Sequence, residues 1–216
     1  MEKEKQIRVL VADDHPMLLK GLSDELNNFG YMVLDGASNG AQALESIIDL
    51  HPDVAILDIE MPILSGFEVI RKCLEKNVTT RFIILTSHKE KAFVMKAKKL
   101  NISGYLLKDE PFSEVNACIR AVVAGKTYFS KEFDDIFETE ISPQLAKIKF
   151  LSPSERTIIR LIAQQKTSKE IGDMLSISYR TVQKHRANII SKLDLPSNMD
   201  ALVIWTAENR ELILSL

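Results

Sequence analysis

The sequence predicts a doubly wound α/β protein with a parallel sheet, followed by a small all-helical domain, and three observations carry that prediction. Short apolar runs recur in the first part of the chain and each stops at a polar residue: Ile7 to Ala12 at Asp13 and Asp14, Val54 to Leu57 at Asp58, Phe82 to Leu85 at Thr86, and Gly104 to Leu107 at Lys108. Between the runs, apolar residues fall three and four apart, which is the helical period. After Phe150 the strand signals stop and only helical periods remain.

In chain order, the run Ile7–Ala12 predicts a first strand, and Met17, Leu18, Leu22, Leu26 and Phe29 predict the helix after it. A weaker run from Met32 to Gly36 fits a second strand, followed by a helix marked by Ala43, Leu44, Ile47 and Ile48. The third strand precedes a helix marked by Phe67, Val69, Ile70 and Leu74, and further helices are expected over 89–100 and 112–124. Strands that alternate with helices require right-handed crossovers. The expected architecture is a five-stranded parallel sheet in flavodoxin-like order within residues 1–125, with the strands ending at Asp14 and Asp58 side by side.

Residues 126–149 lose the alternation, and the charged, mixed stretch around Asp134-Asp135-Ile136-Phe137-Glu138 reads as a partly helical segment of a linker. Residues 150–216 read as helices over Pro153–Gln164, Ser168–Leu175, Tyr179–Leu193 and Asn198–Leu212. Ser152, Pro153 and Glu155 supply an N-cap, a first-turn proline and an N3 acid for the first of them.

At 216 residues and 45% hydrophobic content, the chain is large enough for two cores. Its apolar runs are far shorter than the roughly 20 residues that span a bilayer, and Met1-Glu2-Lys3-Glu4-Lys5 is charged with no apolar segment behind it. A cytoplasmic protein without a membrane partner is expected. Cys73 and Cys118 lack any metal-ligand spacing, so neither a disulfide framework nor a zinc site is expected. The formal charge of −2 is unevenly spread: residues 151–216 hold 9 Lys and Arg against 7 Asp and Glu, leaving the first part acidic.

Open α/β sheets bind ligands at the carboxyl ends of their strands. That edge here gathers Asp13, Asp14, Asp58, Thr86 and Lys108. Three carboxylates so close repel one another unless a proton or cation intervenes, and Mg²⁺ suits oxygen ligands of this kind. Asp58 can then attack phosphorus to form an acyl phosphate, with the metal and Lys108 offsetting charge and Thr86 donating a hydrogen bond to a phosphoryl oxygen. Each residue alone also fits a plainer role as a cap or a solvated strand end. The coincidence of four such strand ends favours the chemical reading.

In the helical part, Ser168–Leu175, the short Ser176-Ile177-Ser178 and Tyr179–Leu193 have the proportions of a helix-turn-helix, whose second helix enters the major groove. Arg180, Gln183, Lys184, His185, Arg186 and Asn188 make that helix basic and rich in hydrogen-bonding groups, with Val182, Ile189 and Leu193 on its apolar side.

Residues 7–125 resemble a response-regulator receiver domain, through Asp13-Asp14, Asp58, the Met61-Pro62 and Gly66 loop, Thr86-Ser87 and Gly104-Tyr105-Leu106-Leu107-Lys108-Asp109. The resemblance implies a sensor histidine kinase as phosphoryl donor to Asp58. It also implies Mg²⁺ held by Asp14, Asp58 and the backbone carbonyl of Glu60, with Asp13 acting partly through water. Glu60 and His88 occupy the family's variable positions, where side chains tune hydrolysis of the acyl phosphate. Thr86 and Tyr105 correspond to the pair that switches the face formed by the fourth helix, fifth strand and fifth helix. Residues 150–213 resemble the LuxR-type domain of NarL/FixJ regulators, through Leu151-Ser152-Pro153-Ser154-Glu155-Arg156, Ser168-Lys169-Glu170-Ile171, Ile177 to Ile189 and Lys192-Leu193. By that resemblance Gln183, Lys184 and Ala187 face bases, and Arg180, Thr181 and Arg186 face phosphates. The last helix, with Ala201, Leu202 and Trp205, resembles the family's dimerisation helix. Gln165 stands where the family usually has glycine, so a local difference is expected there.

The resulting expectation is a two-component transcription regulator. Phosphorylation controls its binding, as a homodimer, to paired DNA half-sites about 34–36 Å apart, where it meets the transcription machinery. It is not an enzyme beyond self-phosphorylation and slow autodephosphorylation. Two other classes share parts of the pattern: a protein-interaction module that does not read DNA, and a small-molecule aspartyl-phosphate phosphatase. The phosphatase class has a second acid two residues after the nucleophile in a DxD pattern, and here that stretch is Asp58-Ile59-Glu60.

Overall fold

The computed structural model describes residues 6–196 and 199–215; the expected start of the last helix at Asn198 lies outside them. The chain divides into two compact units, one running through Asp135 and the other beginning at Ile136.

The first unit is an α/β sandwich. Its strands are β1 (Arg8–Ala12), β2 (Met32–Val33), β3 (Val54–Leu57), β4 (Arg81–Thr86), β5 (Gly104–Leu107) and β6 (Tyr128–Phe129). All pair in parallel, in the order β2-β1-β3-β4-β5-β6. The helices are α1 (Pro16–Asn28), α2 (Gly40–Leu50), α3 (Gly66–Glu75), α4 (Lys91–Lys99) and α5 (Phe112–Val123). One core layer packs Val9, Val11, Ile56, Ile83 and Leu106 against Leu22, Leu26, Val115, Ile119 and Val122. Each side chain of this size contributes about 1.5–3 kcal/mol when fully buried. The register pairs Ala12 with Leu57 and Thr86 with Leu107, so Asp13, Asp58, Thr86 and Lys108 emerge at one edge.

The sheet has six strands where five were expected. β6 is two residues long, too short for any periodicity, and forms because the chain after α5 finds the free edge at Gly104 and Tyr105. The stretch 126–149 thus holds this strand, α6 (Lys131–Ile136), a π-helical segment (Phe137–Ile141) and α7 (Ser142–Lys149). Asp134 to Glu138, expected within a partly helical stretch, is helical throughout.

The second unit continues with α8 (Pro153–Ala163), α9 (Ser168–Leu175), α10 (Tyr179–Lys192), α11 (Met199–Glu208) and α12 (Arg210–Ser215). The helix expected to run to Leu212 is therefore two helices, with a break at Asn209, whose buried amide bonds to the Trp205 carbonyl at 2.9 Å. Reciprocal capping boxes start α8 (Ser152 with Glu155) and α9 (Thr167 with Glu170), and Ser178 caps α10. The turn between α9 and α10 is tight: a Cβ on Gly172 would lie 2.9 Å from the Ile177 carbonyl oxygen. Ile158, Ile162, Ile171, Val182, Ile189 and Leu202 are buried in the core.

Candidate functional site

β1, β3 and β5 deliver three charged groups to one point. Lys108 Nζ lies 2.7 Å from Asp13 Oδ2 and 2.8 Å from Asp58 Oδ2, bridging two nearly buried carboxylates. The Ile59 amide donates to Asp58 Oδ1 at 2.7 Å. Gly66 permits the loop after β3 to fold this closely, since a Cβ there would sit 2.2 Å from the Asp58 carbonyl oxygen. In the same loop Ile63 holds a left-handed φ of 73°, an unusual conformation for a β-branched residue.

Burial raises the Asp58 carboxyl above its usual range; Lys108 pulls it down and the charge of Asp13 pushes it up again. For Lys108, burial disfavours the charge, but the hydrogen bonds and charges of Asp13 and Asp58 outweigh it and hold the ammonium above its usual value. Asp13, Asp14, His15 and Asp58 offer ligand atoms that all lie within 4.8 Å of one another. Asp14 Oδ1 is buried with no hydrogen-bond partner, and His15 Nδ1 lies 3.0 Å from it. The three clustered carboxylates, with one Asp14 oxygen lacking a hydrogen bond, fit a small divalent cation.

Thr86 is fully buried, and its hydroxyl oxygen accepts from the His88 amide at 3.1 Å. Tyr105 is also buried, with its hydroxyl donating to the His88 carbonyl at 2.9 Å. Glu60 and His88 meet each other, Oε1 to Nε2 at 3.2 Å, while His88 Nδ1 reaches Glu90 at 3.2 Å. His15 and Phe133 were not anticipated. His15 adjoins the acidic pair in sequence, which was a usable signal; Phe133, packed on Tyr105 with ring centroids 4.8 Å apart, lies in the aperiodic stretch and gave none.

On α10, Arg180, Lys184, Ala187 and Asn188 are exposed, and Thr181 and Gln183 partly so. The Thr181 hydroxyl lies 2.8 Å from Ser178 Oγ, within the helix cap. Arg186, expected at phosphates, is instead only 7% exposed, with its Nε unpartnered, and does not share the face of Arg180 and Lys184. Desolvation pulls its guanidinium below the usual value. On α11, Leu202 is enclosed in the core of the unit, whereas Trp205, 7% exposed, lines a surface pocket with Ala201 and Ile204; Ala201 is partly exposed, and Val203 and Ile204 are exposed apolar residues.

Residues 9–120 match the family model of the response regulator receiver domain, and residues 149–205 match that of the bacterial regulatory proteins of the luxR family. The chain is a response regulator of the LuxR family. Among its relatives, the transcriptional regulatory protein YvfU of Bacillus subtilis is 36% identical over 92% of this chain and 96% of its own. The nitrate/nitrite response regulator NarL of Escherichia coli is 30% identical over 97% and 99%. The receiver domain of a putative NarL from Mycobacterium tuberculosis matches with a TM-score of 0.53 at 35% identity, covering 56% of this chain and 99% of that one. A structure of RcsB bound to DNA matches 94% of this chain and 99% of its own in fold, with a TM-score of 0.61 at 24% identity. This response regulator is thus a two-component, DNA-binding transcription regulator with a receiver domain and a LuxR-type domain, and its relatives are regulators rather than enzymes. None of its helices is long and apolar enough to cross a membrane, among the described residues.

Proposed function

We propose that Asp58 accepts a phosphoryl group from the phosphohistidine of a sensor kinase and that this modification controls DNA binding by the helical domain. The observation that carries the reading is the Lys108 ammonium held between the Asp13 and Asp58 carboxylates. An Asp58 oxygen bonds to phosphorus as the phosphorus–nitrogen bond breaks, and the imidazole, already protonated on its other ring nitrogen, departs as the neutral base. Lys108 stabilises the charge on the transferring group, and Thr86 donates to one of its oxygens. Asp14, Asp58 and the Glu60 carbonyl are the residues that would hold Mg²⁺, with Asp13 assisting through water; when bound, the ion neutralises phosphoryl charge. The paired Glu60 and His88 side chains stand beside this site and set how readily water reaches the acyl phosphate.

Thr86 and Tyr105 act as the switch, and the phosphoryl group need only favour one of two states. Residues 1–125 are the phosphoacceptor part and residues 150–216 the DNA reader. Residues 126–149 join them, the first of these folded onto the sheet. Gln183, Lys184 and Ala187 face bases, with Arg180 and Thr181 at phosphates; Arg186 joins them only by leaving its buried position. A homodimer using the exposed surface around Ala201 binds paired half-sites in the cytoplasm and there meets the transcription machinery.

The test is incorporation of phosphate from acetyl phosphate with Mg²⁺, alongside selection of bound genomic DNA. Wild type is expected to gain one phosphate and to enrich discrete fragments when phosphorylated. Asp58→Asn is expected to do neither. Equal labelling of Asp58→Asn refutes the site, and labelled protein that enriches no fragment refutes the DNA-reading role in favour of an interaction module.

A further inference from the structure

We propose that residues 128–135 form a strap that reads the state of Asp58 through Tyr105 and is released from the sheet when Asp58 is phosphorylated; the inference rests on the phosphoacceptor role given above. The strap lies over the face built from α4, β5 and α5. Its backbone extends the sheet: the Tyr128 amide donates to the Ser103 carbonyl and the Ser130 amide to the Tyr105 carbonyl, both at 2.9 Å. Tyr128 donates its hydroxyl to Glu114 of α5 at 2.5 Å. Phe133, 2% exposed, packs on the Tyr105 ring at 4.8 Å, and Phe129 stacks on Phe133 at 4.7 Å. From α4, the Lys98 ammonium sits over both rings, 4.2 Å from the centroid of Phe129 and 5.2 Å from that of Phe133. Lys89 ties Asp109 (3.2 Å) to Glu132 (3.1 Å) across the strap's edge.

A continuous chain of contacts joins this strap to the acidic crevice. The Thr86 hydroxyl oxygen accepts from the His88 amide, the His88 carbonyl accepts from the Tyr105 hydroxyl, and the Tyr105 ring carries Phe133. A phosphoryl oxygen that recruits the Thr86 hydroxyl draws the turn at 86–88 toward Asp58. Tyr105 is enclosed at 1% exposure and cannot follow without unpacking from Phe133. Either the Tyr105–His88 hydrogen bond or the Tyr105–Phe133 contact is therefore lost. The strap is the element that yields, because a two-residue edge strand has few pairing bonds of its own and belongs to the low-stability end of a fold. Coupling between the two sites is reciprocal, so loosening the strap must also change phosphorylation.

Amide hydrogen exchange of the full chain, with Mg²⁺ and with or without acetyl phosphate, tests this, with the intact mass reporting occupancy of Asp58. Amides of residues 128–135 are expected to exchange about tenfold faster in the phosphorylated chain, within the usual range of allosteric coupling, while those of β1 keep their rates. Lys89→Gln, a surface change that leaves the core intact, is expected to accelerate the same amides without any donor and to alter the rate of labelling. A chain that gains no phosphate overturns the phosphoacceptor reading. A phosphorylated chain with unchanged or slower exchange over 128–135 overturns the strap alone, as does a Lys89→Gln variant that exchanges like wild type.

Discussion

Asp58 in the first unit and Glu155 in the second are both nearly inaccessible, at 5% and 3% exposure, yet their carboxyl groups shift in opposite directions. Both accept a backbone amide and a lysine: Ile59 and Lys108 for Asp58, Ser152 and Lys192 for Glu155. They differ in two respects: Glu155 also bonds the Ser152 side chain, and its lysine is not shared. Lys192 serves one carboxylate at 2.7 Å, whereas Lys108 is divided between Asp58 and Asp13. Burial opposes the charge of Glu155, but its hydrogen bonds with Lys192 and Ser152 outweigh it and hold the carboxyl below its usual range. Burial dominates at Asp58, and the neighbouring Asp13 adds to it. A carboxylate whose charge is fully answered stabilises a fold; one whose charge is only half answered is left with capacity for a cation or a phosphoryl group.

The largest test of this contrast is Lys108→Ala. With Asp13 and Asp58 facing each other and no ammonium between them, a loss of about 3 kcal/mol is expected in metal-free urea unfolding, with part of it recovered on adding Mg²⁺, which binds the folded chain. An unchanged midpoint would mean that the carboxylates are not competing for the lysine. Glu155→Ala comes next, at about 2 kcal/mol near neutral pH, from the lost cap and the lost charged hydrogen bond. Because its folded carboxyl titrates below 4.5, the Glu155 contribution is present above that value and disappears as pH falls through the depressed one. Thermal unfolding of wild type and variant should therefore converge in acid.

Asp58→Asn should show the opposite pattern. The folded carboxyl titrates above 3.8, so ionisation costs stability once pH rises through the raised value, and below the ordinary range there is no cost to remove. The variant is expected to be more stable than wild type at neutral pH, with the gain vanishing in acid; a gain that persisted at low pH would break the comparison. The smallest effect concerns Gln165, which follows α8 with φ 64° while its amide and that of Lys166 bond back to the carbonyls of Ile162 and Leu161. That is a Schellman ending, a position that favours glycine. Gln165→Gly should stabilise the chain by about 0.5–1 kcal/mol in denaturant titration.

The crevice was legible because a strand buried on both faces writes its burial into consecutive residues, and the first polar residue after each run marks the strand's end. Asp58, Thr86 and Lys108 are all of that kind. β6 was not legible, since two residues carry no period and their pairing depends on an edge supplied by Gly104 and Tyr105. Arg186 is more instructive. It stands four residues after Val182 and three before Ile189, on the stripe that is buried in α10, so its position predicted burial while its charge suggested a phosphate contact. Leu202 and Trp205 obey the same rule: three apart on one helix face, they belong to the core, and the intervening Val203 and Ile204 face outward.

The register of the sheet also governs how the chain acquires its structure after dilution from denaturant. β1 must find β3 across the whole of α1, β2 and α2, aligning Val9 with Val54, before the central strands have a template. The capping boxes of α8 and α9, by contrast, close within three residues of their own sequence. Local contacts form early and distant strand pairing late, so the carboxyl-terminal helices should regain their signal ahead of the sheet, giving two separable refolding phases.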